Sequence, residues 1–278
     1  MKRKFSIGDS VWRFGLLIWA LGIAFPLIWI IVMSLKTNQE FFLGAWSLPS
    51  ELQLNNYIKA WVKLGIGPSF LNTLYVLVFG MLISVFFDTM NAYALTRIEW
   101  KGRNFIKGLI FMGLLLPGIN ALVPLYTIMR GLGMVDSLNG LILVYGFGGS
   151  VFDLVVLGSF MSSIPIDMEE SAHLDGATVF KTFWHIIVPI SAPGIVTISI
   201  FKFLTLYNDF TLPFILLNDS KKYTIGINMY YANEIMQYSS NWVSLCAGIV
   251  ISLIPPLVVY ILLQKRVIEG ATLGAVKG

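Results

Sequence analysis

A chain of 278 residues that is 56% hydrophobic and only 12% charged is far from a soluble domain, in which about a quarter of residues carry charge. Its net charge of +4 is no nucleic-acid signature, because the cations cluster beside apolar runs as bilayer orientation requires. The single cysteine, Cys246, excludes an internal disulfide and leaves the redox compartment open. Six apolar stretches have the roughly 17 to 25 residues of a helical span: Phe14–Leu35, Phe70–Tyr93, Phe105–Met129, Leu138–Phe160, Ile186–Leu217 and Trp242–Leu263. The first follows Met1-Lys2-Arg3-Lys4. It is about 22 residues long and no Ala-x-Ala site closes it, so it reads as a retained transmembrane helix rather than a leader. The outer loop after it, Lys36 to Ser69, holds Trp46, Pro49, Trp61 and Pro68 and is expected to pack on the membrane surface. The fifth stretch is too long for one straight crossing, and Pro189 and Pro193 are expected to bend its start into a cytoplasmic elbow. No β-barrel alternation, internal repeat or low-complexity tract is found.

The expected fold is an all-α polytopic membrane protein with six transmembrane helices. Residues 1–13 form a cytoplasmic N-terminus, 14–264 the transmembrane domain and 265–278 a cytoplasmic tail. With the N-terminus inside, the inner segments carry twelve cations: Lys2, Arg3, Lys4, Arg13, Arg97, Lys101, Arg103, Lys107, Lys181, Lys265, Arg266 and Lys277. The outer segments carry six: Lys36, Lys59, Lys63, Arg130, Lys221 and Lys222. That bias places both termini in the cytoplasm, and the 165–185 segment with them.

This segment is polar in an otherwise oily chain. Pro165 can stop the preceding helix and Asp167 is placed to cap a new one. Glu169 and Glu170 are expected to be free for cations on a partner, Ala172 and Ala177 to keep one surface thin, and Gly176 to permit a sharp turn. Phe180, Phe183 and Trp184 are expected to anchor the returning limb at the interface. Taken alone, such glutamates near a membrane read first as a plain amphipathic surface helix with solvated acids; the whole pattern in a six-span chain reverses that order. His173 and His185, twelve residues apart and without Cys ligands, read as interface or lipid-headgroup contacts rather than metal ligands.

The run Glu170-Ser171-Ala172, then Asp175-Gly176-Ala177, then Ile187-Val188-Pro189 resembles the cytoplasmic EAA loop of ABC importer permeases, with Ser171 in place of the first alanine. Its resemblance to the carbohydrate-uptake branch extends over nearly the whole chain. It includes Ala92-Tyr93-Ala94-Leu95-Thr96-Arg97, Lys101-Gly102-Arg103, Leu132-Gly133-Met134-Val135-Asp136-Ser137, and the tail from Leu263-Gln264-Lys265-Arg266 to Gly278. That resemblance implies the ABC type I importer permease fold. Its coupling helix, Glu169, Glu170, Ser171, Ala172, Asp175, Gly176 and Ala177, would dock on an ATPase subunit. It further implies a second permease subunit, two ATP-binding subunits, an extracytoplasmic solute-binding protein, a sugar substrate and a bacterial-type inner-membrane location. ATP and magnesium belong to the ATP-binding partners, and this chain is expected to bind no cofactor and to be no enzyme. A phosphate-binding P-loop is lacking: the nearest approach ends at Lys181-Thr182, with Phe180 where the second glycine must sit.

Polar residues inside spans are candidates for the translocation pathway: Asp153, Lys202, Tyr207, Asn208 and Asp209. Tyr207-Asn208-Asp209 stands where the family commonly has Trp-Asn-Glu. An aromatic face beside an amide and a carboxylate suits a sugar, but the same groups can equally satisfy one another. Lys202 precedes Asp209 by seven residues, roughly 10 Å along the axis, which makes a direct pair doubtful. Asp88, near the inner end of its span, is expected to be wetted and Asp153 to lie deeper. Met112, Met129 and Met161 are read as packing. Two other classes are weighed: an ion-driven transporter with Asp153, Lys202 and Asp209 as relay, and a membrane-embedded enzyme. The first lacks an inverted repeat and the second lacks a catalytic cluster. Within the leading class, a phosphorylated polyol or other small polar solute stays open as substrate.

Overall fold

The protein is described by a computed structural model covering residues 7–115 and 118–275, the side chains of 7–10, 114, 239 and 265–275 excepted. Among these residues the chain is helical, without strands. The helices are α1 (Ile7–Ser34), α2 (Asn38–Leu43), α3 (Asn55–Lys63), α4 (Ile66–Thr96), α5 (Arg103–Met112), α6 (Leu122–Gly131), α7 (Leu138–Phe147) and α8 (Val151–Ser162). Next come α9 (Asp167–Leu174), α10 (Val179–Thr182), a π-helical turn at Phe183–Ile187, α11 (Val188–Ile190), α12 (Ala192–Asn208), α13 (Thr211–Leu216), α14 (Ile225–Ser239) and α15 (Trp242–Ala275). The N-terminal cations Lys2, Arg3 and Lys4, and the side chains of the 265–278 tail motif, lie outside the described residues.

Three described helices are long and apolar enough to cross a membrane, at Val11–Ser34, Ile66–Thr96 and Trp242–Gln264. Two bent pairs raise the number to as many as five: Leu138–Phe147 with Val151–Ser162, bent by 44°, and Val179–Ile190 with Ala192–Asn208, bent by 74°. The stretch Phe105–Met129 is not one helix. α5 ends at Met112, and short 3₁₀ turns at Gly113–Leu115 and Gly118–Ala121 precede α6, because glycine is a poor helix former. The fourth stretch breaks at Gly148-Gly149, after which the Ser150 hydroxyl accepts the Asp153 backbone N–H and starts α8. The elbow of the fifth falls at Ser191, between Pro189 and Pro193 as their chemistry requires. Its straight part ends at Asn208, and a separate helix, α13 (Thr211–Leu216), follows before Leu217.

Two compact units divide the chain. The first comprises Met1–Pro68 and Asn228–Ile254. Its 36–69 loop is folded: Lys36 is fully buried and donates from Nζ to the Gly44 carbonyl at 2.6 Å. The Asn56 amide donates to the carbonyls of Ser34 and Lys36. Thr37 and Glu40 form a reciprocal capping box at the start of α2. The Ser50 hydroxyl, then the Thr37 and Ser50 backbone N–H groups, hold the Glu40 carboxyl down at about 2, from an ordinary 4.5. A lowered carboxylate stabilises the fold fully above its unfolded value, and that contribution is lost as pH falls through about 2. The Glu40 carboxyl carbon shift in NMR is therefore expected to stay at its ionised value down to about pH 3. A midpoint near 4.5 would show that the box does not form in solution.

The second unit, Ser69–Ile227 with Pro255–Gly278, has one core around Ala92, Tyr93, Leu157, Met161, Phe183 and Ile198. Another surrounds Met129, Leu141, Leu216 and Ile227. Met129 and Met161 are thus packing residues, as read, whereas Met112 is 59% exposed. Helix α12 lies close against α8 at Gly194, where a Cβ would fall 2.7 Å from the Phe160 ring. This approach carries Lys202 towards the first turn of α8.

Candidate functional site

Two clusters in the second unit contain most of the residues singled out by the sequence. The first is the 165–185 segment. Helix α9 starts after Pro165, but Asp167 does not cap it: Ile166 holds the N-cap position with helical dihedrals and no side-chain bond. Asp167, Glu169 and Glu170 instead lie in the first turn, where negative charge suits the helix dipole. At the other end Gly176 has φ +82°. Its N–H reaches the His173 carbonyl at 3.0 Å, and the Ala177 N–H reaches that of Ala172 at 2.9 Å, the two bonds of a Schellman closure. The Thr178 hydroxyl then caps α10.

Glu169 is not free for a partner. It is 8% exposed and accepts from Arg97 Nε at 2.5 Å and from the Tyr93 hydroxyl at 3.0 Å. Arg97 Nη2 also lies 2.5 Å from Glu169 Oε1, at an angle that makes an ion contact but no second hydrogen bond. Ala172 is buried on the same side of α9, while Glu170, Ser171, Asp175 and Gly176 are exposed and Ala177 is half-buried. Leu174, which the sequence reading passed over, stands 89% exposed at the tip. Phe183 is no interfacial anchor: it is buried with its ring 5.1 Å from Tyr93. Phe180 and Trp184 keep exposed surface. The Nδ1 atoms of His173 and His185 contact the carbonyls of Ala177 and Lys181. No group of three His, Cys, Asp or Glu residues able to hold a metal occurs among the described residues.

The second cluster centres on Lys202, 7% exposed. Its Nζ lies 2.6 Å from Asp88 Oδ2, 2.5 Å from Ser84 Oγ and 2.6 Å from Asp153 Oδ2. The last contact is ionic only, its angle being wrong for a hydrogen bond. Ser84 also donates to Asp88, the two lying four residues apart on one face of α4. Asp88 is therefore not wetted; at 1% exposure it is as buried as Asp153 at 2%. The signal for it was present as a carboxylate inside an apolar run, but its partner is 114 residues away.

Lys202 and Asp209 do not pair. Asp209 accepts the Tyr145 hydroxyl at 2.8 Å through Oδ2, while Oδ1 accepts the N–H groups of Thr211 and Leu212 at the start of α13. Asp153, Lys202 and Asp209 nonetheless line one cleft of about 460 Å³, with Tyr145, Ser150, Phe152, Phe201 and Thr205. Tyr207 and Asn208 are not among its lining residues. Tyr207 is buried and stacked on Phe203 at 5.7 Å, and the Asn208 amide donates to the Leu204 carbonyl.

Residues 80–269 match the family described as "binding-protein-dependent transport system inner membrane component". The chain belongs to this family. It is 35% identical over its whole length to the probable ABC transporter permease YurM of Bacillus subtilis, of which it covers 91%. It is 33% identical to the diacetylchitobiose uptake permease NgcG of Streptomyces coelicolor, over 93% of this chain and 86% of that one. A chain of a bacterial ABC transporter that imports the acidic polysaccharide alginate superposes with a TM-score of 0.82 at 25% identity, covering 95% of this chain and 99% of that one. The protein is thus a permease of the carbohydrate-uptake branch, with the type I ABC permease fold.

Proposed function

We propose that this permease forms half of a translocation pore for an uncharged sugar or oligosaccharide and is coupled to ATP hydrolysis on separate subunits through residues 165–185. The exposed end of α9 carries the coupling reading. Glu170, Ser171 and Asp175 offer anions and small side chains for docking, Leu174 adds an apolar tip, and Gly176 closes the helix sharply behind them. In this arrangement the chain crosses the membrane six times, with the α5–α6 region completing the count, and keeps both termini in the cytoplasm. A second permease subunit, two ATP-binding subunits holding ATP and magnesium, and an extracytoplasmic solute-binding protein complete the importer. ATP binding draws the docking segments together and shifts the balance between outward- and inward-facing forms.

The cleft beside Lys202 favours an uncharged solute over a phosphorylated polyol. Lys202 is already held between Asp88 and Asp153, and the other charged lining residue is the anion Asp209. No lining cation is left for a phosphate. Phe152 and Phe201, with ring centroids 5.1 Å apart, supply apolar surface for sugar C–H faces, and the carboxylates accept hydrogen bonds from hydroxyls.

Co-expression with the neighbouring transporter genes, followed by ATPase assays with candidate binding proteins and sugars, tests the proposal. Stimulation by one loaded binding protein is expected, and no turnover by the chain alone. Purification without any ATP-binding subunit would point to ion-driven transport instead.

A further inference from the structure

We propose that the contact of Glu169 with Arg97 and Tyr93 is a brace that makes α4 follow the coupling segment, so that Glu169 positions the helix and Glu170 alone of the two glutamates is available for docking. The inference rests on the coupling role proposed above for residues 165–185. Adjacent glutamates on a helix point about 100° apart. Here one carboxylate is buried and doubly bonded, while its neighbour is exposed.

Both limbs of the segment hold the same turn of α4. The outgoing limb, α9, does so through Glu169 on Tyr93 and Arg97. The returning limb does so through Phe183, whose ring packs on Tyr93. Tyr93 and Arg97 are four residues apart and therefore share a face, and the Arg97 N–H still bonds the Tyr93 carbonyl at 2.9 Å. Guanidinium and carboxylate are side-chain exposed by only 10% and 11%, so solvent screens the pair weakly.

Helix α4 runs unbroken from Tyr93 back to Asp88, about 7–8 Å along the axis. Asp88 in turn holds Lys202 on α12. A displacement of α9 is therefore passed by charged contacts at both ends of one rigid rod to the residues lining the Lys202 cleft. A docking surface alone would not require the first of these contacts.

The test uses the full importer in proteoliposomes, comparing Glu169→Gln, Arg97→Gln and the charge swap R97E/E169R. Three quantities are measured: retention of ATP-binding subunits, basal ATPase, and sugar imported per ATP hydrolysed. In the single variants, subunit retention and basal ATPase are expected to stay within about twofold of wild type while sugar per ATP falls about tenfold. The swap is expected to restore most of that loss, which a residue serving only stability would not do. Tyr93→Phe, which removes one hydroxyl and keeps the ring contact with Phe183, is expected to show a smaller loss in the same ratio. An unchanged ratio in the single variants overturns the brace, as does a swap no better than either. Loss of ATP-binding subunits in Glu169→Gln would make Glu169 a docking residue, also against it. If wild-type chain retains no ATP-binding subunit, the coupling role itself fails, a result distinct from these because each of them leaves wild-type import intact.

Discussion

Lys202→Met is expected to destabilise the detergent-solubilised protein by about 3–5 kcal/mol, the usual result of removing one partner from a buried ion pair. The physical reason is what stays behind. Asp88 and Asp153 are 1% and 2% exposed, and without Nζ between them two carboxylates face each other in a medium that solvates neither. Ser84 can still donate one hydrogen bond to Asp88, which is too little to replace a cation. The thermal midpoint of the purified protein measures the loss. The triple variant K202M/D88N/D153N removes the charges together and is expected to recover more than half of it, since a neutral replacement of a buried cluster is often tolerated. An unchanged midpoint in the single variant would mean that the carboxylates reach water or protons when the lysine is gone. Sugar uptake should fall in both variants if the cleft lies on the pathway, because both lose the Lys202 ammonium from its lining.

Gly176→Val is expected to abolish most uptake while leaving membrane insertion intact. At φ +82° a residue with a Cβ is strained, by about 1–2 kcal/mol even before branching is counted. Relief of that strain opens the closure of α9 and frees the carbonyls of Ala172 and His173. The exposed tip at Leu174 and Asp175 then loses its fixed direction. No atom outside its immediate chain neighbours would touch a Cβ there, so the effect belongs to backbone conformation and not to crowding. Gly176→Asn is the matched control, since asparagine enters the left-handed region readily, and it should retain most activity. Co-purification of ATP-binding subunits separates the outcomes. A valine variant that imports sugar normally would remove the docking assignment.

How much the sequence disclosed differs from one element to the next. The apolar runs marked the membrane helices wherever a run was uninterrupted, as in α1, α4 and α15, because length and hydropathy are local properties. Run length did not reveal the break within Phe105–Met129, where a long apolar run holds glycines that interrupt the helix. It also overran α12 into Leu217, because α13 is apolar as well. The elbow at Ser191 was legible from Pro189 and Pro193, since proline acts on the backbone next to it. Gly176 was legible for the same reason.

The charged groups divide along the same line. Composition, the apolar runs and the motif from Glu170 to Ala177 by themselves determined that this is a membrane protein with one polar segment, and they pointed to its family. Which carboxylate is free was decided only by the tertiary structure. Glu169 and Glu170 are identical in chemistry and adjacent in sequence, yet Arg97, 72 residues away, claims one of them. Asp88 and Asp153 become a pair only when α4, α8 and α12 meet around Lys202, and Asp209 turns instead to Tyr145 and the start of α13. A backbone preference is set by a residue and its near neighbours, and sequence records it. The partner of a buried charge is set by the packing of distant helices, and only the folded chain supplies it.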